Sequence, residues 1–302
     1  MALGRGLSRD CAPSPAVAVF STACIWADEP AWIGAACAKR LGIPLVVSLA
    51  GGELSALPQL HYGLRRHAPQ RELIGRALHS AKVVTAGSCY LIALAKAQGF
   101  RATRHAPLGV DTQLFSPAVR PHQTSLITVG SLLPVKGHSV LVQAMRRVVA
   151  VIPGAHLTIV GDGPERSGLQ QLIESLHLTE NVTMQPAIAH DLLPAYYSAA
   201  DLYVQSSWHE AQGLVVLEAA ACGLPLVGTA VGTLAELSPD AALAVPFDDP
   251  QALASAIIGL LRDDNRRRAL ASAALARVVS DYGVMPCIER FLELYRFAIA
   301  PD

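Results

Sequence analysis

The stretch of sequence that decides the fold is WHEAQGLVVLEAAACGLPL, residues 208–226. Its apolar run from Leu214 to Cys222 predicts a helix. Gly223 and Pro225 end that helix, because glycine adopts the left-handed cap conformation and proline cannot continue a helix. The first backbone N–H groups of a helix have no partners within it, and they lie at the positive end of the helix dipole. The stretch therefore predicts a phosphate site at a helix start.

Three residues around this helix start predict which ligand carries the phosphate. Gly213 has no side chain that would block close approach of a phosphate to the backbone. Glu210 precedes the helix and Glu218 lies about one and a half turns inside it, so both carboxylates can face a ligand at the helix tip. Carboxylates accept hydrogen bonds from hydroxyl groups, so this layout suits a sugar nucleotide. The alternative is an ordinary buried helix with two surface glutamates. The amides predicted to face the phosphate are those of Leu214, Val215 and Val216.

The pattern Glu-x-x-Gly-Leu-x-x-x-Glu, followed by Ala-x-x-Cys-Gly-x-Pro, resembles the Glu-x7-Glu signature of a known family. That family is the GT4 retaining glycosyltransferases, also called glycosyltransferase group 1. The resemblance implies an α/β protein with the GT-B fold, in which two Rossmann-like domains face a cleft. It further implies that Glu218 holds the ribose hydroxyls of a nucleoside diphosphate sugar and that Glu210 holds hydroxyls of the donor sugar.

The composition limits the other classes of function. The chain has 302 residues, 52% of them hydrophobic and 16% charged, which is enough to fill two cores. Lys+Arg and Asp+Glu both number 24, so no net charge indicates a nucleic-acid partner. The six cysteines form no CxxC pair, which favours buried free thiols in a reducing cytosol over disulfides or metal ligands. No run approaches the ~18 apolar residues of a membrane span. We therefore expect a cytoplasmic protein.

Short apolar runs that alternate with helix-length segments predict parallel, doubly wound sheets with ligands at the carboxyl ends of the strands. The predicted strands of the second half are 126–129, 156–160, 181–184, 202–204, 225–227 and 243–245. In the first half they are 45–49 and 82–85, and residues 16–20 could form another. We predict an acceptor-side domain at residues 1–118 and a nucleotide-sugar domain at 119–283. A last helix, 284–302, would cross back to the first domain.

Lys136 is the predicted cation of the site, because it lies on a glycine-bounded turn after the strand 126–129, where it can neutralise a diphosphate. The alternative is an ordinary solvated lysine. The segment Val-Gly-x-Leu-x-x-x-Lys-Gly, which contains Gly130 and Ser131, is similar to the second family segment. Family members often carry Arg where this chain has Ser131, so we expect a weaker clamp on the diphosphate. The resemblance also implies that the backbone of Ala187 and Ile188 meets the nucleotide base.

Three further polar residues receive structural rather than chemical predictions. Asp162 lies in a Gly-Asp-Gly turn and is predicted to be structural. His209, beside Glu210, is predicted to orient its loop or line the pocket rather than to shuttle protons. Glu236 is predicted to be a helix-start charge near the cleft.

The resemblance weakens in the first half, where no strand and glycine-rich loop precede residue 16. We therefore expect a shortened first domain whose sheet edge, Leu45–Leu49, is exposed and invites self-association unless a neighbouring segment covers it. The arginines of the segment 59–80 suggest contact with a membrane surface, although a solvated face is the simpler interpretation. They are Arg65, Arg66, Arg71 and Arg76.

The resulting hypothesis is a retaining, metal-independent hexosyltransferase with Lys136 and Glu210 as its catalytic residues. It would use a UDP- or GDP-linked sugar as donor substrate, a saccharide or lipid-linked acceptor, and no cofactor. The alternative is a non-catalytic or truncated nucleotide-sugar-binding protein.

Overall fold

The structure is a computed structural model that describes residues 21–118 and 124–300. Within these residues, the amino-terminal part forms a parallel four-stranded sheet in the order β1-β2-β3-β4. Its strands are β1 (Thr22–Ile25), β2 (Leu45–Leu49), β3 (Val83–Ala86) and β4 (Thr103–His105). Its helices are α1 (Glu29–Leu41), α2 (Ala68–Ser80) and α3 (Cys89–Ala97). We call this part the first domain.

Strand β2 is an interior strand, so the prediction of an exposed sheet edge at Leu45–Leu49 is wrong. Residues Thr22 to Ile25 pair with it in parallel, and β3 pairs on its other side. Its apolar side chains are buried, as expected for a parallel strand covered on both faces. Among the strands of residues 21–118, the edge is instead β1, where the side chain of Ile25 is 61% exposed. The strand predicted at residues 16–20 lies outside the described residues.

The carboxyl-terminal part forms a parallel six-stranded sheet in the order β10-β9-β8-β5-β6-β7. The strands are β5 (Ser125–Val129), β6 (His156–Val160), β7 (Val182–Gln185), β8 (Leu202–Gln205), β9 (Leu226–Thr229) and β10 (Leu243–Val245). The helices are α4 (His138–Val151), α5 (Arg166–Ser175), α6 (Leu193–Ser198), α7 (Leu214–Ala221), α8 (Gly232–Leu237), α9 (Pro250–Arg262), α10 (Asp264–Asp281) and α11 (Val284–Ile299). We call β5 to α10 the second domain. All six strands predicted for this half are confirmed, with ends that differ by one or two residues.

The order of the second sheet places its ligand crevice. The chain adds β6 and β7 on one side of β5 and then returns to add β8, β9 and β10 on the other side. The strand order therefore reverses between β5 and β8, and the loops that follow these two strands flank a crevice at the carboxyl edge of the sheet. The Lys136 turn follows β5, and the Glu210 loop follows β8.

The chain passes between the two domains at two adjacent places. Val110 forms a parallel bridge with Gly283, and the backbone N–H of Val110 donates to the carbonyl of Tyr282 at 2.8 Å. A Cβ atom at Gly109 would lie 2.7 Å from the Cα of Val284, so the two segments are in close backbone contact. Helix α11 then packs on the first sheet, where Ala298 contacts a cluster with two buried valines, Val46 and Val83.

Two expectations from composition can be compared with the structure. The prediction of buried free thiols is correct for Cys222 and Cys287 and wrong for Cys37 and Cys89, which are exposed. Among the described residues, no helix is long and apolar enough to cross a membrane.

Candidate functional site

A cavity of about 490 Å³ lies between the two domains, at the carboxyl edges of both sheets. Its size is in the range typical of small-molecule sites, about 300–1,000 Å³. The first domain contributes the ends of β2 and β3, including Ala50 and Gly87, and the second domain contributes the loops after β5 and β8. Five of the predicted site residues line it, namely Lys136, Glu210, Gly213, Leu214 and Val215. The other five, which do not line it, are Gly130, Ser131, Ala187, Ile188 and Glu218.

The start of α7 has the geometry of an anion site. Gly213 is the residue before the helix, and its φ of 91° lies in the left-handed region that favours glycine. Glycine is therefore needed for the backbone conformation as well as for close approach. Leu214 and Val215 are the first two residues of the helix, so no earlier helical carbonyl is available to their N–H groups. The prediction of a free N–H at Val216 is wrong, because it donates to the carbonyl of Gly213 at 3.0 Å.

Lys136 and Glu210 form an ion pair at the wall of the cavity. The lysine Nζ lies 2.6 Å from the glutamate Oε1, and their side chains are only 25% and 10% exposed. Ser207, near the beginning of the loop after β8, donates its hydroxyl to the same carboxylate oxygen at 2.7 Å. The hydroxyl of Ser206 donates to the carbonyl of Lys136 at 2.9 Å, so the two loops hold each other. The pair places one positive charge and one negative charge beside the start of α7.

The turn that carries Lys136 depends on a glycine. Residues Pro134–Lys136 form a 3-10 turn, and Gly137 follows with a φ of 62°. A Cβ atom at Gly137 would overlap the backbone carbonyl oxygen of Ser206. The close backbone approach of the two loops is therefore what brings Lys136 to Glu210.

Glu218 lies inside α7, and its carboxylate has two hydrogen-bond partners. The hydroxyl of Tyr197 donates to Oε2 at 3.0 Å, and Nε2 of His190 lies 3.1 Å from Oε1. Burial raises the pKa of Tyr197 well above its usual value, with the Glu218 charge as the next contribution, so its hydroxyl stays a donor. The ring of His190 is in edge contact with Phe115. Glu218 is thus held apart from the Lys136–Glu210 pair and has its own set of donors.

Helix α4 begins with a histidine that the sequence interpretation missed. His138 is buried, and its Nε2 lies 3.2 Å from the carbonyl of Ser131. Burial lowers the pKa of His138 to about 4, so the ring is neutral near pH 7 and donates to that carbonyl. Ser131 itself is exposed. A Cβ atom at Gly130 would meet no neighbouring atom within 4 Å, so this glycine leaves open space rather than relieving a contact.

The loop after β7 is fixed by Asp162. The backbone N–H of Ala187 donates to Oδ2 of Asp162 at 2.8 Å, and Arg166 pairs with the other oxygen of this carboxylate at 3.0 Å. The Ala187 amide is therefore already used within the protein, which leaves its carbonyl for a ligand. Ile188 packs against the core of the second domain. These contacts agree with the structural role predicted for Asp162.

His209 joins the two domains through a buried polar network. Its Nε2 lies 3.2 Å from the carbonyl of Gly51, which can only accept, so this nitrogen carries the proton. Its Nδ1 is then left to accept from the hydroxyls of Ser55 and Tyr90, at 3.2 and 3.3 Å. Burial lowers the pKa of His209, which favours this neutral form. The contacts agree with a role in orienting the Glu210 loop, and adjacency in sequence gave no sign of the first-domain partners.

Glu236 also bridges the domains, and its predicted position is wrong. Helix α8 begins at Gly232, so Glu236 lies near the end of this short helix rather than at its start. Its carboxylate accepts from the backbone N–H of Cys89 at 2.8 Å and from the hydroxyl of Tyr282 at 2.7 Å.

Comparison with known proteins gives three similarities. The profile of the family described as Glycosyl transferases group 1 matches residues 110–277. The chain is 31% identical over 278 residues to the GDP-mannose-dependent alpha-(1-6)-phosphatidylinositol monomannoside mannosyltransferase of Mycolicibacterium smegmatis, covering 81% of this chain and 70% of that relative. It is 36% identical over 149 residues to the 2-deoxystreptamine N-acetyl-D-glucosaminyltransferase of Streptomyces fradiae, covering 49% of this chain and 35% of that relative.

The structural comparison agrees. The sucrose-phosphate synthase of Thermosynechococcus elongatus superposes with a TM-score of 0.78 and 26% identity, over 92% of this chain and 74% of that chain. The predicted GT-B architecture is therefore confirmed. The chain spans about half or less of the length of several curated relatives that it matches.

Proposed function

Because this chain belongs to the group 1 glycosyl transferases, we propose that it moves a hexose from a nucleoside diphosphate sugar to an acceptor hydroxyl. The observation that carries the proposal is the Lys136–Glu210 pair beside the start of α7, inside a cavity between two domains. The donor would be UDP- or GDP-linked, and the acceptor a saccharide or a lipid-linked molecule. One relative named above is GDP-mannose-dependent, which supports a GDP-linked donor. It is also named for a phosphatidylinositol monomannoside, which supports a lipid-linked acceptor.

In the proposed reaction, the bond between the sugar C1 and the diphosphate oxygen breaks, and the acceptor oxygen bonds to C1. The departing diphosphate gains negative charge as this happens. Lys136 and the N–H groups of Leu214 and Val215 are positioned to stabilise that charge. A released phosphate oxygen takes the acceptor proton, and the acceptor enters on the face that the diphosphate leaves, so the configuration is retained. No metal ion is required by this scheme.

When no donor is bound, Glu210 forms an ion pair with Lys136. A diphosphate carries more negative charge than the carboxylate, so its arrival draws the lysine Nζ away from Glu210 Oε1. The carboxylate keeps its hydrogen bond from the Ser207 hydroxyl and can then accept hydrogen bonds from hydroxyls of the donor sugar. Donor binding thus separates the ion pair, so that the lysine interacts with the diphosphate and the carboxylate interacts with the donor sugar.

Glu218 is proposed to accept hydrogen bonds from the ribose. Each carboxylate oxygen has one protein donor, Tyr197 or His190, and each retains a further lone pair for a hydroxyl. His190 is 62% exposed, so it lies at the entrance to this part of the site. Ala187 and Ile188, in the preceding loop, are proposed to meet the base through their remaining backbone groups.

Two earlier suggestions receive no support from the contacts. Arg66 donates to the carbonyl of Gly63 at 3.1 Å, and Arg76 pairs with Glu72, so two of the four arginines have partners within the protein. We therefore do not propose a membrane surface as a partner. Self-association was inferred from an edge at β2, which β1 covers.

The test of the proposed function is thermal protection by nucleotides in the presence of a chelator. We expect UDP or GDP to raise the melting temperature, since the anion site uses lysine and amides. A ligand at 100 times its Kd adds about 2.7 kcal/mol to the free energy of unfolding. Protection that needs added magnesium would contradict the metal-independent site. The nucleotide that protects then defines which nucleotide sugars are assayed for turnover, and binding without turnover would support the non-catalytic alternative.

The proposed roles of the two glutamates predict different binding defects. Glu218→Ala should weaken binding of the bare nucleoside diphosphate by about 1.5–3 kcal/mol, the range for a hydrogen bond to a charged group. Glu210→Ala should leave bare-nucleotide affinity at least as high, because Lys136 is freed, and should lower discrimination between donor sugars. Calorimetric titration measures both, with Glu174→Ala on the exposed face of α5 as control. Equal losses for nucleotide and nucleotide sugar in both variants would refute the assignment.

A further inference from the structure

A second cluster of polar side chains lies outside the donor cavity, where the two domains meet. Cys89 is the first residue of α3, His105 is the last residue of β4, and Glu236 lies on α8. One ligand atom from each of the three residues lies within 4.8 Å of the other two. The first domain thus contributes a thiol and an imidazole, and the second domain contributes a carboxylate. None of these residues has a role in the proposed transfer reaction.

The three side chains are the ligand types of a zinc ion. Zinc binds cysteine sulfur at about 2.3 Å, histidine nitrogen at about 2.0–2.1 Å and carboxylate oxygen at about 2.0–2.2 Å. In a tetrahedron with these bond lengths the ligand atoms are about 3.4–3.6 Å apart. The observed spread of 4.8 Å or less requires side-chain movements of about 1 Å to reach that geometry. Cys89 is exposed, and His105 and Glu236 are half-buried.

An unpartnered nitrogen of His105 is an independent observation in favour of a ligand at this cluster. Its Nε2 atom is buried, and the described part of the chain offers it no hydrogen-bond partner. A buried polar nitrogen without a partner is costly in free energy. An imidazole nitrogen is also a common metal ligand.

The carboxylate of the cluster is already oriented. The hydroxyl of Tyr282 and the backbone N–H of Cys89 donate to the two oxygens of Glu236. Such outer contacts hold ligands in place in metal sites. Burial and the Glu236 carboxylate raise the pKa of the Cys89 thiol to about 11. The metal-free thiol therefore keeps its proton, which zinc must displace in order to bind.

We propose that Cys89, His105 and Glu236 form a zinc site that ties the two domains together, with water as the fourth ligand. The ion takes the place of the thiol proton, which passes to solvent, and the thiolate and carboxylate together neutralise its charge. Arg277 and Arg290 also lie nearby, and the charge of Arg277 is offset by its ion pair with Asp281 at 3.2 Å. Because the ligands come from both domains, bound zinc restrains their separation. The proposal does not depend on the proposed sugar transfer.

The test uses the full chain without an affinity tag, stripped of metal. We expect it to bind one cobalt ion with a thiolate-to-cobalt charge-transfer band, and to bind zinc in competition with a chromophoric chelator. Cys89→Ser should abolish the band and weaken zinc binding at least tenfold. His105→Gln should also weaken zinc binding at least tenfold. Cys37→Ser removes an exposed thiol of the same domain and should change neither reading.

Two results would overturn the proposal. One is a zinc affinity of Cys89→Ser equal to that of the unaltered chain, and the other is a cobalt spectrum without the thiolate band. Each variant is first melted without metal. His105→Gln leaves the Glu236 contacts with Cys89 and Tyr282 intact, so it tests metal binding even if Cys89→Ser fails to fold. A failure of zinc binding would leave the nucleotide experiment unaffected, because that experiment is done in chelator.

Discussion

Replacing Lys136 by methionine is expected to lower turnover of the nucleotide sugar about 100- to 1,000-fold, the range for losing one charge-stabilising donor at a reacting oxygen. Methionine keeps the length and apolar contacts of the lysine stem but removes the charge next to the start of α7. The rate is measured as nucleoside diphosphate released per enzyme, with the donor that gives the strongest thermal protection. Donor affinity should fall less than the rate, because charge on the diphosphate grows as its bond to the sugar breaks.

Two further variants separate lost catalysis from lost stability. Lys136→Met leaves the buried carboxylate of Glu210 without its cation, which is itself destabilising. The double variant Lys136→Met/Glu210→Gln removes that unpaired charge, so it should recover stability but not turnover. Lys39→Met, on the exposed side of α1, is the control for losing a lysine and should retain both. Full turnover in either Lys136 variant would show that this lysine does not stabilise the leaving group.

Replacing Gly137 by alanine is expected to destabilise the second domain by about 3 kcal/mol, the sum of left-handed backbone strain and overlap with a neighbouring backbone. The glycine has a φ of 62°, and the carbonyl oxygen of Ser206 occupies the space that a methyl group would need. Since a backbone carbonyl cannot turn away like a side chain, the Lys136 turn must move. Donor binding should weaken together with stability.

The control for this variant is Gly168→Ala, inside α5, where an added Cβ atom meets nothing within 4 Å. Alanine is the better helix former by about 1 kcal/mol, so this change should leave stability equal or higher. Denaturant unfolding, monitored in the second domain, measures the change in the free energy of unfolding for both variants. An unchanged midpoint for Gly137→Ala would mean that the two loops are not in the close contact described.

The second sheet could be predicted from the sequence because most of its strands are short, largely apolar runs with buried side chains. The positions of Lys136 and Glu210 at one crevice could be predicted, because each residue follows a strand whose carboxyl end lies at the same edge of the sheet. Strand β4 could not be predicted, because Thr103–His105 contains no apolar residue and only Thr103 is buried. Its place in the sheet comes from pairing with β3, which is a property of the fold.

The contacts between the domains could not be predicted from the sequence pattern either. His209 meets Ser55, a residue 154 positions earlier in the chain, and no local motif records such a contact. The requirement for glycine at 137 has the same origin, because it depends on the carbonyl of Ser206 in another loop. The partners of Glu218 are closer in sequence, and His190 follows a strand whose carboxyl end faces the crevice. That position was the available signal for His190.

The two crossings of the chain between the domains limit how the cleft can open. The segment at Val110 and the segment at Gly283 are bonded to each other, so both covalent links lie at one corner of the molecule. Two links at one corner allow the domains to swing about that corner, as a door swings on its hinge, but resist sliding of one domain along the other. We therefore expect the cleft to open by rotation about this corner. In such a rotation the residues farthest from the corner would move the most.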